Sequence, residues 1–122
     1  MVKQLITRYL KRRHLLAQSA LKQRYLVIDL ELTGLDPKQH EIVSVAWVLI
    51  DNQCIKNSQS QHIVNKEVKS LEQSPVFHGI STDSVAQGQS LQSILMSLSA
   101  HFSDCILVFH NAMLDWGFLK LA

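Results

Sequence analysis

Two acids set two positions apart, Asp29 and Glu31, interrupt the otherwise apolar stretch Tyr25-Leu26-Val27-Ile28-Asp29-Leu30-Glu31-Leu32-Thr33-Gly34-Leu35. In an extended strand residues i and i+2 point to the same face, so the two carboxylates stand side by side, roughly 6–7 Å apart at the backbone. Neighbouring anions on an apolar strand repel one another and lose hydration, so they need compensation. A divalent cation supplies it, because hard carboxylate oxygens are what Mg²⁺ and Mn²⁺ take as ligands. The other reading is a strand end that runs out into water, where both acids are simply solvated. A third acid, Asp115, falls five residues beyond His110, just after the apolar run Cys105-Ile106-Leu107-Val108-Phe109. On the first turn of a helix such a carboxylate is also favoured by the helix dipole alone.

The elements that would carry these acids can be read from periodicity. Residues 24–32 form a first strand, and Gly34 with Asp36-Pro37 supplies turn chemistry. Residues 41–51 form a long second strand, and the polar, alternating run 53–64 reads as an edge strand with one wet face. Short turns between them make an antiparallel meander. A loop region over 65–89 holds Pro75, His78-Gly79-Ile80 and Gly88. Helix 90–102 follows, with Leu91, Ile94, Leu95, Leu98 and Phe102 on one face. The apolar run 105–109 is expected to be a strand buried on both faces and parallel to its neighbour. A last helix starts near Ala112, with Leu114, Phe118 and Leu121 as its buried stripe. If the 105–109 strand lies beside strand one, Asp115 is carried towards Asp29 and Glu31. The class is α/β: an antiparallel meander plus a parallel central strand in one mixed sheet, flanked by helices.

Ahead of this domain, over 24–122, lies a basic amphipathic helix over 1–23. Val2, Leu5, Ile6, Tyr9, Leu10, Leu16, Ala17, Ala20 and Leu21 share a stripe that is expected to pack on the core. Residues 1–24 hold seven basic residues and no acid, while all ten acids lie in 25–122, where only five lysines oppose them. The basic face suits a nucleic-acid backbone, without sequence preference. An acid-free, arginine-rich start also fits an organelle presequence, although serine is nearly absent from it. Cys54 and Cys105 make no metal-type spacing and read as reduced, buried thiols. No apolar run approaches the ~20 residues of a membrane span, and the expected address is cytoplasmic.

Three segments, in order, resemble the motifs of the DEDD 3′–5′ exonucleases of the DEDDh type, which include the proofreading epsilon subunit of bacterial DNA polymerase III. Asp29-Leu-Glu31-Leu-Thr33-Gly34-Leu35 is similar to the first motif, and Phe77-His78-Gly79-Ile80 to the HGI segment of proofreading-type members. Val108-Phe109-His110-Asn111-Ala112-Met113-Leu114-Asp115-Trp116-Gly117-Phe118-Leu119 resembles the second motif. The resemblance implies a ribonuclease-H-like fold and hydrolysis of phosphodiester bonds at the 3′ end of DNA, with RNA as a further substrate and a DNA polymerase subunit as a partner. It implies two Mg²⁺ or Mn²⁺ ions, bridged by Asp29, with Glu31 holding the ion that activates water and Asp115 the other. Leu32, Thr33, Gly34, His78, His110 and Asn111 match positions that bind the terminal nucleotide. His14, His40, His62 and His101 have no motif context and read as surface or core residues.

The family's third motif, a histidine base followed by a fourth metal-binding Asp, has no counterpart before the sequence ends at Ala122. The expectation is a C-terminally incomplete domain, weakly stable or associating through Leu119 and Leu121. A positioned base is typically worth 10²–10⁴-fold, so this chain alone is expected to be an impaired nuclease. The alternative is a non-catalytic module that binds nucleic acid or a polymerase.

Overall fold

The computed structural model describes residues 2–71 and 74–122, with side chains at Thr7 and from Leu10 onward within them. Strands β1 (Tyr25–Leu32) and β2 (Ile42–Asp51) form an antiparallel ladder from Tyr25↔Ile50 to Glu31↔Ser44. The register then slips, with Leu32 opposite Ile42, so Val43 is an extra residue in a β-bulge. β3 (Cys54–Ile55) and β4 (Gln61–Val64) both pair antiparallel with β2. On the other side of β1, β5 (Ile106–Phe109) runs parallel to it, from Tyr25↔Ile106 to Ile28↔Phe109. The described sheet thus has the order β3-β2-β1-β5, with β4 also on β2. The mixed sheet with a parallel strand beside β1 is the one anticipated.

Alternation along each strand decides which side chains are buried. Leu26, Ile28 and Leu30 of β1 and Val45, Trp47 and Leu49 of β2 make the core. Ile94 and Leu98 of α4 (Leu91–Ser99) and Phe118 of α5 (Ala112–Leu121) close over it. Burying side chains of this size stabilises by about 1.5–3 kcal/mol each. By the same alternation Val27, Asp29 and Glu31 turn to the other face. α4 starts where it does because Ser90 accepts a hydrogen bond from the Ser93 amide and Glu67 accepts one from the Leu91 amide.

Several elements differ from expectation. The 53–64 run is not one edge strand: a 3₁₀ turn at Asn57–Gln59 splits it into β3 and β4. Asn52 and Gln53, at φ of 50° and 61°, form the two-residue link that returns the chain from Asp51 to Cys54. The 65–89 region contains two short helices, α2 (Pro75–His78) and α3 (Thr82–Ala86). Buried Asn65 ties it down, donating to the Ile42 carbonyl at 2.8 Å and accepting from the Glu67 amide at 2.9 Å. β5 lies at the edge of the described sheet with Val108 exposed, rather than buried on both faces. Leu121 is exposed rather than part of the α5 stripe, and Cys54 is exposed where a buried thiol was expected; Cys105 is buried.

The N-terminal helix departs furthest. α1 spans Val2–Ala17 and gives way to a 3₁₀ turn at Ala20–Lys22. Leu10, Leu16 and Leu21 are exposed rather than packed on the core, and Leu15 alone among the described α1 side chains is half-buried. Val2, Leu5, Ile6 and Tyr9 of the expected stripe lie outside the described side chains. No helix of the described residues is long and apolar enough to cross a membrane.

Candidate active site

Asp29 sits one residue beyond Ile28↔Phe109, the last pair of the parallel β1–β5 ladder. β5 stops there, and the chain leaves through His110 and Asn111 into α5. Asp29 and Glu31 therefore run on beside that exit, which is where the first turn of α5 brings Asp115. Asn111 caps the helix: its side-chain oxygen accepts from the Leu114 amide at 3.3 Å, and its own amide donates to Asp115 Oδ2 at 3.2 Å. This reciprocal pair fixes the Asp115 carboxylate by satisfying two helix-end amides. Asp115 is only 5% exposed. Burial pushes its carboxyl above the ordinary value of 3.8; the Asn111 amide opposes that, repulsion from Asp29 adds to it, and His110 draws it down.

The loop after β1 forms a second wall. Thr33 is locked to Glu41, its amide donating to the Glu41 carbonyl at 3.0 Å and its hydroxyl accepting from the Glu41 amide at 2.9 Å. Gly34 lies under the His40 ring, where an added Cβ would come within 2.2 Å of His40 Cδ2. His40 Nδ1 is 3.1 Å from the Asp36 amide. The Lys38 amide and the Gln39 side chain hold the Asp36 carboxyl below its usual range. Pro37 reaches α5, since a Cβ at Gly117 would lie 3.8 Å from Pro37 Cγ. Leu35 of this loop and Met113 of α5 are both exposed.

The other expected residues divide. His110 is exposed and bears electrostatically on Asp115. Asn111 acts first as a helix cap. His78 ends α2, its Nδ1 accepting from the Ile80 amide at 3.0 Å across Gly79, whose φ is +71°. Among the described residues no hydrogen bond or ion pair joins His78 to the three acids. Residues without motif context contribute as well: Ser44, directly opposite Glu31 and buried, is 3.1 Å by its Oγ from His62 Nε2. Ser44 is the one hydroxyl in the apolar run of β2, the signal that could have singled it out.

The RNase_T exonuclease family model matches residues 26–122. The chain belongs to this exonuclease family. It is 34% identical over 101 residues to a DNA polymerase III PolC-type protein of Mycoplasmopsis pulmonis, covering 82% of this chain and 7% of that one. It is 34% identical over 102 residues to the 3′-5′ exonuclease DinG of Bacillus subtilis, covering 81% and 11%. It is 29% identical over 98 residues to the DNA polymerase III epsilon subunit of Rickettsia prowazekii, covering 80% and 43%. The chain thus spans less than half the length of each of these relatives. Among solved structures, E. coli Exonuclease I in complex with a dA16 oligonucleotide superposes with a TM-score of 0.68 at 12% identity, over 80% of this chain and 23% of that one. A product-bound exonuclease I gives 0.71 at 14% identity, over 81% and 24%. The fold is ribonuclease-H-like.

Exonucleases of this type use divalent metal ions, and the donor chemistry here fits them. The Asp29 and Glu31 carboxylates have no hydrogen bond or ion pair among the described residues, and Asp115 is a buried carboxylate repelled by Asp29. Yet no three His, Cys, Asp or Glu side chains of the described residues are gathered closely enough to hold a metal. The convergence expected of the three acids is therefore looser than a closed ligand cage: like charges stand apart, and Asp115 spends one oxygen on the Asn111 amide. Mg²⁺ tolerates this, since it is held by one or two carboxylates with water and substrate oxygens completing the shell.

Proposed function

We propose that this chain carries the site of a two-metal 3′–5′ exonuclease acting on the single-stranded 3′ end of DNA, with RNA as a second substrate class. One observation carries the reading: a buried carboxylate, Asp115, is held by its own helix cap near enough to Asp29 to be repelled by it, and among the described residues no lysine or arginine pairs with either. Asp29, Glu31 and Asp115 would hold Mg²⁺ or Mn²⁺. When bound, such ions stabilise charge on the attacked phosphodiester and on its departing 3′ oxygen.

The chain's own residues would do the rest. The Leu32-Thr33-Gly34 turn, clamped to Glu41, offers its backbone to the terminal nucleotide. Leu32 and the exposed Leu35 supply apolar surface for a base. His110 contacts substrate at the α5 end, Asn111 holds that end in place, and His78 approaches from α2. A cytoplasmic setting and a polymerase partner belong to the same reading, supported by the PolC and epsilon relatives.

The test is release of nucleotides from a 3′-labelled oligonucleotide in Mg²⁺ or Mn²⁺. Release that stops on Asp29→Asn supports the proposal. Release that survives the substitution overturns it, and binding without metal-dependent release favours the non-catalytic module.

A further inference from the structure

At the opposite end of β1 from the acids, a groove of about 430 Å³ lies between the C-terminal half of α1 and the Ser103–Asp104 turn. Leu10 and Leu15 line it together with His14 and the cationic Lys11, Lys22 and Arg24. Two acids approach these cations. Lys11 Nζ is 3.9 Å from Asp104, both side chains being more than half exposed, and Arg24 Nε is 3.6 Å from Asp51. The Lys11–Asp104 pair, exposed on both sides, is weak and exchanges readily for a stronger anion, whereas Arg24 and Asp51 are half-buried. Lys22, in the 3₁₀ turn after α1, has no ion pair among the described residues. The whole segment 1–24 carries no acid.

We propose that this groove is a second nucleic-acid site, which holds the sugar-phosphate backbone of a single strand away from the hydrolytic end. Charge complementarity selects a polyanion, and a groove lined by both leucine and lysine or arginine side chains suits a flexible strand that presents phosphates and apolar sugar and base surfaces together. Arg24 precedes Asp29 by five residues, about 17 Å of extended strand, so both sites can act on one strand. The identity of the polyanion rests on the exonuclease reading; the groove itself does not.

The experiment measures binding of the full chain to a 5′-labelled oligothymidylate of about 12 nucleotides by fluorescence anisotropy, in EDTA, at several salt concentrations. Lys11→Glu with Lys22→Glu is expected to weaken binding about tenfold and to lower the log–log salt slope by about 1.4, the value for two phosphate contacts on a single strand. Lys22→Ala alone is expected to weaken it about threefold with an unchanged melting curve. Affinity and slope unchanged in both variants would overturn the proposal. So would an equal loss from Arg12→Glu with Arg13→Glu outside the groove, or loss of binding to phosphatidylserine vesicles with oligonucleotide binding intact. Hydrolysis is scored separately in Mg²⁺: groove-dependent binding without hydrolysis removes the exonuclease reading only, and hydrolysis with groove-independent binding removes the groove only.

Discussion

Asp115 on the first turn of α5 and Asp29 in β1, 86 positions apart in the sequence, repel one another where the β1–β5 ladder ends. A fold rarely keeps a buried anion beside another without return, because each raises the cost of ionising its neighbour. The return proposed here is a cation.

Neutralising Asp115 should therefore stabilise the protein when no divalent ion is supplied. Its carboxyl is raised above 3.8 in the fold, so the folded state binds the proton more tightly than the unfolded chain does. That contribution is fully present below the unfolded value and is lost as pH rises through the folded value. At neutral pH in EDTA, Asp115→Asn is expected to gain on the order of 1 kcal/mol, or about 4 °C in Tm, read by thermal melts. The amide still offers an oxygen to the Asn111 N–H. An unchanged or lower Tm contradicts this.

Gly34→Ala should destabilise by about 1–3 kcal/mol, because its Cβ would occupy the place of the His40 ring. The ring would have to leave the Asp36 amide as well. Adding His40→Ala restores room, so the double variant should recover part of the loss, and a double-mutant cycle in urea measures the coupling.

No such rescue exists at Gly88. A Cβ there would lie 2.3 Å from the Val64 carbonyl oxygen, which is backbone, beside the Gln89–Val64 and Lys66–Gln89 hydrogen bonds. Gly88→Ala should cost more than Gly34→Ala in the same urea experiment, and no single side-chain truncation nearby should relieve it.

Thiol labelling should separate the two cysteines. Cys54 is exposed in a two-residue strand and should react at once with a maleimide or disulfide reagent at neutral pH. Cys105 is buried, and desolvation pushes its thiol up, so it should react only on unfolding.

Sequence patterns reveal some of these relationships and miss others for physical reasons. β1, β2 and α5 were legible because long apolar runs and the period of two or 3.6 leave little choice of element. Pairing of β5 beside β1 followed from its apolar composition, although its exposure did not: composition fixes that Val108 can be buried, whereas cover depends on what packs there. The same holds for α1, where periodicity marks Leu10 and Leu16 as one stripe but says nothing of a partner. The buried anchor Asn65 depends on a hydrogen bond to the Ile42 carbonyl of β2 that local pattern does not encode, and the break at Asn57–Gln59 rests on short-range turn hydrogen bonds that an alternating polar run does not announce. His40 was invisible because its role is to fill the space that Gly34 leaves. For the acids, Asp29 and Glu31 were readable from spacing, and Asp115 from its place after a strand.

Calorimetric titration of Mn²⁺ into the wild-type chain, Asp29→Asn and Asp115→Asn bears on the shared carboxylate site without requiring turnover. Saturable binding should weaken about tenfold or more in each variant, since each removes one ligand of the same ions. Identical Mn²⁺ affinity in all three proteins would show that Asp29 and Asp115 do not share a cation.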